Sequence, residues 1–283
     1  MTPALIVALE VLREASRRKL LLALVVLTIL VIALTVWGFS RIHDVSSRPL
    51  TVAEQRTISS QLLILVMFMF SWVLSLSAVF VAAPAISTEI ESGIALAMLA
   101  RPLARAEYVI GKWLGLFALT LAYGVGAAVI ELVAVNAVAD YVPPHPAEFL
   151  AFVIGEAVVI FTFALALSTR VAGMVGGIVA TVLFGMAWMG GIVGSIGAAL
   201  NNDGIARVGT ATKLLLPTDG LWRGAVWSLE PAAIAAAQAQ LGPAAAANPF
   251  FAPPPQMAYV AWAVGWIAVA LAVAIWSFRS REI

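Results

Sequence analysis

Long apolar segments recur along the chain, and polar residues collect in the stretches between them. A helix needs about 20 residues to cross the hydrocarbon core of a bilayer, and six segments reach that length. The first is longer than the apolar part of a secretory signal, so it is predicted to stay in the membrane as an anchor. The six predicted spans cover residues 20–39, 62–83, 108–138, 149–167, 173–200 and 257–278. This pattern predicts an all-α integral membrane protein with one transmembrane domain over residues 1–283.

The composition supports a membrane location. Hydrophobic residues make up 63% of the chain and charged residues 11%, whereas a soluble domain is about half apolar and about a quarter charged. The net charge of +1 and the absence of long basic runs give no indication of nucleic acid as a partner. The chain has no cysteine, which excludes disulfides, thiolate metal sites and cysteine nucleophiles.

Basic residues are distributed unequally between the two sides that six spans create. One side receives both termini and the loop between the second and third spans, and the other side has fewer basic residues in longer loops. Because short loops rich in Lys and Arg stay in the cytoplasm, both termini and residues 84–107 are predicted to be cytoplasmic. The basic residues assigned to that side are Arg13, Arg17, Arg18, Lys19, Arg101, Arg105, Lys112, Arg170, Arg279 and Arg281.

Two segments flank the spans without crossing the membrane. Residues 1–19 place Leu5, Ile6, Leu9 and Leu12 on one helical face, which predicts a helix in the membrane interface. A solvated lead-in to the first span is an equally good interpretation. Residues 201–256 are predicted to form a long outer loop of short helices interrupted by prolines.

The motifs of the common catalytic sites are missing. A P-loop requires Gly-Lys followed by Ser or Thr, but Gly111 and Lys112 are followed by Trp113. His43 and His145 stand apart in predicted outer loops, which favours neither a metal site nor a hydrolytic site. The chain is therefore predicted to have no enzymatic activity and to bind no metal or cofactor.

Two carboxylates fall inside predicted spans: Glu131 in the third and Glu156 in the fourth. A charge at the centre of a membrane helix costs about 2.5–3.5 kcal/mol, so each carboxylate needs a reason to be there. One interpretation is a polar lining of an outward-facing cavity. The other is solvation of Glu131 at the interface and a satisfied hydrogen bond for Glu156. Both remain open.

The fifth span is rich in glycine. Gly173 with Gly177, and Gly190 with Gly194, have the GxxxG spacing that lets membrane helices approach closely. Packing across a dimer axis and packing within one subunit both fit this pattern.

The segment between the second and third spans, residues 84–105, has a helical pattern of its own. Ile86, Ile90 and Ile94 recur at helical spacing. The acidic residues Glu89 and Glu91 precede the basic residues Arg101 and Arg105, the order that the helix dipole favours. The pattern predicts a helix on the inner membrane surface.

The same segment resembles the signature of the type-2 ABC transporter permeases. In that signature two acidic residues precede Ser-Gly or Glu-Gly, an apolar run, Arg-Pro, a further Arg and then Gly-Lys. Ile94 and Ala95 depart from it, where Thr and Leu are usual. Pro217, Thr218 and Asp219 resemble a Pro-Thr-Asp stretch of permeases linked to the maturation of copper enzymes such as nitrous oxide reductase. The residues that carry the main match are Glu89, Glu91, Gly93, Arg101, Pro102, Arg105, Gly111 and Lys112.

The resemblance implies an ABC transporter permease in a prokaryotic inner membrane, surrounded by lipid and exporting a substrate by alternating access. It also implies a second permease subunit, as a homodimer or a similar pair. Two separate ATPase subunits would bind ATP and Mg²⁺ and contact residues 86–99 as a coupling helix.

Two other functions use the same sequence features. A membrane anchor or assembly factor would recruit a partner through the same loop without transporting anything. A proton-driven secondary transporter would use Glu131 and Glu156 as a relay, although the chain lacks the repeated halves common in such carriers.

Overall fold

A computed structural model describes residues 2–17, 19–41, 50–100, 103–240, 250, 253 and 256–281. Within those ranges the regular secondary structure is entirely helical. Six of the helices, α2, α3, α6, α7, α8 and α12, are long and apolar enough to cross a membrane. These findings confirm the predicted all-α fold with six spans. The helices are α1 (Pro3–Arg17), α2 (Lys19–Ser40), α3 (Val52–Ala82), α4 (Ser87–Glu91), α5 (Ile94–Leu99), α6 (Arg105–Ala139), α7 (Pro146–Ser168), α8 (Gly173–Ala199), α9 (Asp203–Leu215), α10 (Thr218–Leu229), α11 (Ala232–Ala239) and α12 (Met257–Arg279).

Helix α3 begins ten residues before the predicted span because a polar cap starts it. The Thr51 hydroxyl accepts a hydrogen bond from the Glu54 amide at 3.3 Å, and the Glu54 carboxylate accepts one from the Thr51 amide at 2.9 Å. This reciprocal pair is a capping box, which satisfies backbone donors that the first helical turn leaves free. The apolar pattern predicts the membrane-spanning part of α3, but it does not predict where the helix begins.

Helix α7 lies at the centre of the bundle. Of its most apolar stretch 61% is buried, compared with 11% for α2 and for α12. Phe149, Ile160, Phe161 and Leu165 of α7 are fully buried. Helices α2 and α12 therefore lie at the periphery of the bundle and expose apolar side chains outward.

The ends of several spans meet on one face of the bundle, called here the terminal face. Arg105 Nη1 donates to the carbonyl oxygens of Arg279 at 3.0 Å and Arg281 at 2.7 Å. Arg170 Nη2 donates to the Ser277 carbonyl at 2.9 Å. The start of α6 and the ends of α7 and α12 therefore lie together. The other end of the bundle is called the opposite face.

The segment predicted as an outer loop folds back into the bundle. Helix α9 runs antiparallel to the end of α8, so close that a Cβ atom at Gly194 would lie 2.5 Å from Gly209 Cα. Helix α10 then returns toward the opposite face beside α7, with Trp222, Ala225 and Leu229 buried. The first part of residues 201–256 is therefore a packed helical hairpin, α9–α10, and not a loop outside the spans.

Side chains of α12 complete the hydrogen bonding of the end of α9. The last carbonyl groups of a helix have no partner within the helix and need donors from elsewhere. Trp266 Nε1 donates to the Leu215 carbonyl at 2.9 Å, and Trp262 Nε1 donates to the Leu214 carbonyl at 3.2 Å. The Tyr259 hydroxyl donates to the Lys213 carbonyl at 3.3 Å. These bonds allow α9 to end inside the bundle.

Candidate functional site

The predicted helix over residues 86–99 is two short helices, α4 and α5, with a bend between them. Gly93 separates them and has φ +75°, a left-handed conformation that glycine adopts without steric cost. The chain therefore changes direction at Gly93, and the single coupling helix expected from the sequence is not continuous. Arg101 and Pro102 of the same motif lie outside the described residues.

Glu89 joins this bent segment to α6. Its carboxylate accepts hydrogen bonds from the Lys112 ammonium group and the Tyr108 hydroxyl. Lys112 is only 3% exposed, and a buried ammonium group is tolerated when a carboxylate pairs with it. The contact therefore fixes α4 against the first turns of α6.

Gly111 is where α1 crosses α6. A Cβ atom at Gly111 would lie 2.6 Å from the Ala4 carbonyl oxygen, so any larger residue would force the two helices apart. Gly115, one turn later, contacts Val11 and Ala8 in the same way. Helix α1 therefore packs on α6 through one face, and its other face exposes Leu5, Ile6 and Leu9.

The bent segment presents an outward surface on the terminal face. Glu91 is exposed, and Ile94 and Leu96 are 50% and 51% exposed. A cavity of about 410 Å³ lies between α1 and α5, lined by Ile6, Glu10, Met98 and other residues. This surface is apolar with acidic residues nearby, which suits a protein partner.

A second polar site lies at the turn of the α9–α10 hairpin. Asp219 is 3% exposed and accepts a hydrogen bond from Arg223 Nε at 3.0 Å. Lys213 Nζ lies 3.6 Å from the same carboxylate. Arg223 also donates to Ser195 Oγ at 2.7 Å and to the Gly191 carbonyl at 3.3 Å. The Asp219 charge is therefore compensated, and the pair ties α10 to α8.

The rest of the Pro-Thr-Asp stretch forms the start of α10. Pro217 is the residue before the helix, and Thr218 is its first residue and is buried. Gly191 of α8 makes room for Asp219, because a Cβ atom there would lie 2.1 Å from the Asp219 Cγ atom.

Glu156 lies near this site and is 3% exposed. Ser71 of α3 donates a hydrogen bond to its Oε2 atom, and Asp219 is close enough to interact with it electrostatically. Glu156 therefore belongs to the polar cluster around the hairpin turn.

Glu131 lies on the side of α3 opposite to Glu156. The Thr35 hydroxyl hydrogen-bonds to its carboxyl group, and Oε1 has no partner among the described residues. The α3 side chains beside Glu131 include Phe70 and Val73, which point away from Ser71 because successive helical residues are turned by about 100°. Glu131 and Glu156 therefore face different sides of α3, so a relay between them would have to pass this helix.

The GxxxG glycines of α8 contact helices of the same chain. Gly190 lies against Thr212 and Gly194 against Gly209, both in α9. At the terminal face, a Cβ atom at Gly173 would lie 2.8 Å from Pro84 Cα, and one at Gly177 would lie 3.5 Å from the Ala83 Cβ.

Glu230 follows the last residue of α10 and is not among the site residues that the sequence predicts. It is 3% exposed, and neither carboxylate oxygen has a hydrogen-bond partner among the described residues. Burial raises the pKa of Glu230 from 4.5 to about 7. Burial also raises the pKa of the nearby Tyr141 hydroxyl, which donates to the Leu229 carbonyl at 2.7 Å. A lone acidic residue between Leu229 and Pro231 was the only sequence signal for this group.

Comparison with known proteins gives one family. The family model described as ABC-2 family transporter protein matches residues 5–283. A search of curated proteins found no relative that matches the chain.

Proposed function

The chain belongs to the ABC-2 transporter family, and from that premise we propose that an ATPase partner drives it through the α4–α5 segment. The chain is a multi-pass membrane protein and the permease component of an ABC transporter, a family whose membrane subunits are not themselves catalytic.

The proposed assembly has two permease chains and two ATPase subunits that bind ATP and Mg²⁺. The terminal face would be cytoplasmic, as the distribution of basic residues predicts, in a prokaryotic inner membrane. ATP hydrolysis would switch the spans between inward-facing and outward-facing states and export the substrate.

The contact between Glu89 and Lys112 is the observation that carries this proposal. A coupling element must be rigidly attached to the spans it moves, and Glu89 is bonded to two residues of α6. Because α4 follows α3 after a four-residue connection, force applied to α4 would reach both α3 and α6. Glu91, Ile94 and Leu96 remain on the surface, available to a partner.

In this proposal the partner docks on exposed residues of α4–α5 and is coupled to the spans through Glu89, so docking and coupling can be tested with different variants. We expect Ile94→Asp with Leu96→Asp to abolish co-purification of the ATPase, because both side chains are exposed and outside the bundle. We expect Glu89→Gln to retain the ATPase but to lose the link between ATP hydrolysis and movement of the spans. The measurements are pull-down with mass spectrometry, and the distance between spin labels on α3 and α6 with and without ATP.

Arg207→Gln is the control, because Arg207 is exposed in α9, far from α4 and α5 in the chain. It should retain both the partner and its movement. Charge reversal at both Glu89 and Glu91 should also uncouple hydrolysis from movement. Recovery of the chain alone, or with a partner that is not an ATPase, would instead support the anchor hypothesis.

Native mass spectrometry of the purified complex tests the proposed stoichiometry. Two permease chains with two ATPase subunits would support it, and one permease chain in the complex would contradict it.

A further inference from the structure

A cleft separates α2 from α3 at the outer side of the bundle. Helix α2 is joined to α6 by the hydroxyl groups of Thr28 and Tyr123, which lie 2.7 Å apart. Between α2 and α3 the space remains open and is lined by Val31, Val66 and Met69. Its wider part has a volume of about 260 Å³.

One acidic side chain interrupts this apolar lining. Glu131 of α6 lines the narrower part of the cleft, which has a volume of about 40 Å³. Its side chain is 4% exposed, and its Oε1 atom has no hydrogen-bond partner in the described part of the chain. Within the described residues, the hydroxyl group of Thr35 hydrogen-bonds to this carboxyl group. None of the residues lining these two parts of the cleft is a Lys or an Arg.

The chemistry of the cleft defines what would fill it. A buried carboxylate is costly unless a cation or several hydrogen-bond donors compensate it. The apolar walls, on the other hand, pack against a hydrocarbon chain and offer no hydrogen bond to a polar molecule. A ligand that satisfies both features has an alkyl chain and a cationic head that carries N–H groups.

We propose that the cleft between α2, α3 and α6 binds an amphiphile with one alkyl chain and a protonated amine head, which donates to Glu131. Binding of this amphiphile does not require that the chain transports it. The inference is therefore independent of the proposed coupling to an ATPase.

Photo-crosslinking in lipid nanodiscs tests the proposal, with dodecylamine carrying a diazirine on its chain as the probe. We expect labelled peptides from α2 and α3, with unlabelled dodecylamine as competitor. Glu131→Gln should weaken the apparent affinity at least about tenfold, because it removes the charge from a buried ionic hydrogen bond. Uncharged dodecanol should compete at least about tenfold less well against the wild-type protein.

Two further variants distinguish the site from general effects of mutation. Gly38 lines the wide part of the cleft, and a Cβ atom there would meet nothing within 4 Å. Gly38→Leu should therefore fold normally, shown by its size-exclusion profile, and should reduce labelling by filling the space. Glu148→Gln, a glutamate at the start of α7 whose side chain is 51% exposed, should be labelled like the wild type.

Equal labelling of the wild type and Glu131→Gln would overturn the role of the carboxylate. Equal competition by dodecanol and dodecylamine would refute the proposed requirement for a cationic head group. Labelling that Gly38→Leu leaves unchanged would place the probe outside the cleft and would refute the site as a whole.

Discussion

The two sides of α3 hold buried carboxylates in different ways. On the hairpin side, Asp219 has the Arg223 guanidinium 3.0 Å away and the Lys213 ammonium group 3.6 Å away. On the α2 side, Glu131 has one hydroxyl partner and a free Oε1 atom within the described structure. Breaking a buried ion pair is strongly destabilising, whereas an isolated buried charge is itself a cost. Pairing therefore indicates a structural role, and its absence indicates a group that awaits a ligand or a proton.

Glu230 belongs with Glu131 in this comparison, although it lies at the end of the hairpin. It is buried and unpaired in the described structure, and α10 directs its negative dipole end toward it. Neutralising a charged side chain should therefore have opposite effects at paired and at unpaired carboxylates. It should destabilise the protein at Arg223 and Asp219 and stabilise it at Glu230.

The largest effect is expected where the hairpin meets α8. Gly194→Ala would place a Cβ atom 2.5 Å from the Gly209 backbone, and overpacking against a backbone that cannot move costs about 3 kcal/mol or more. The melting temperature in detergent measures this loss. Gly185→Ala in the same helix is the matched control, because its Cβ atom would meet nothing within 4 Å. A similar melting temperature for both variants would contradict the close packing of α8 on α9.

Arg223→Gln should destabilise the protein by about 2–3 kcal/mol, because the buried Asp219 carboxylate then keeps only the longer contact of 3.6 Å to Lys213. The double variant Asp219→Asn with Arg223→Gln should lose less than the sum of the two single variants, because the Asp219 charge that loses its nearest cation in Arg223→Gln is then absent. Thermal unfolding of all four proteins measures the coupling. Strict additivity would show that the pair contributes nothing as a pair.

Glu230→Gln should stabilise the protein by about 2–3 kcal/mol above pH 7. Burial raises the pKa of Glu230 from 4.5 to about 7, so the folded state holds its proton more tightly than the unfolded state. The wild type should therefore lose stability as the pH rises from about 4.5 to about 7.

The difference in melting temperature between wild type and Glu230→Gln, measured from pH 4 to pH 8, tests this sign. It should be smallest at the acidic end and level off above about pH 7. A constant difference across this range would show that Glu230 does not titrate there.

The smallest effect is expected at the end of α9. Trp266→Phe removes the indole N–H that donates to the Leu215 carbonyl at 2.9 Å, at a cost of about 1 kcal/mol. Trp276→Phe is the control, since Trp276 lies in the same helix and is 70% exposed. Equal melting temperatures would indicate that water or lipid headgroups replace the lost donor.

Much of the fold could be predicted because span formation depends on local sequence. Each of the six spans is a single apolar segment, and its tendency to enter a membrane is the sum of contributions from its own residues. The predicted residues 173–200 and α8 (Gly173–Ala199) agree closely for this reason. The beginning of α3 was missed because a capping pair, not apolar content, sets it.

The candidate site was predicted only in part. Glu89 and Lys112 were selected by a family motif, but the sequence did not show that they bond to each other across 23 positions. Glu131 and Glu156 were found as charges in apolar spans, and their placement on different sides of α3 could not be inferred from spacing along the chain. Glu230 was missed because a glutamate beside a proline is ordinary in a loop.

By itself, the sequence determined the number of spans, their approximate limits and the family of the chain, since each depends on a run or an ordered motif of neighbouring residues. Only the tertiary structure decided that residues 203–229 fold back as the α9–α10 hairpin, which glycines are crossed by another helix, and which buried carboxylates have partners. The physical reason is that these features are contacts between residues distant in the chain, and a contact forms only where both partners reach the same place with complementary shape and charge.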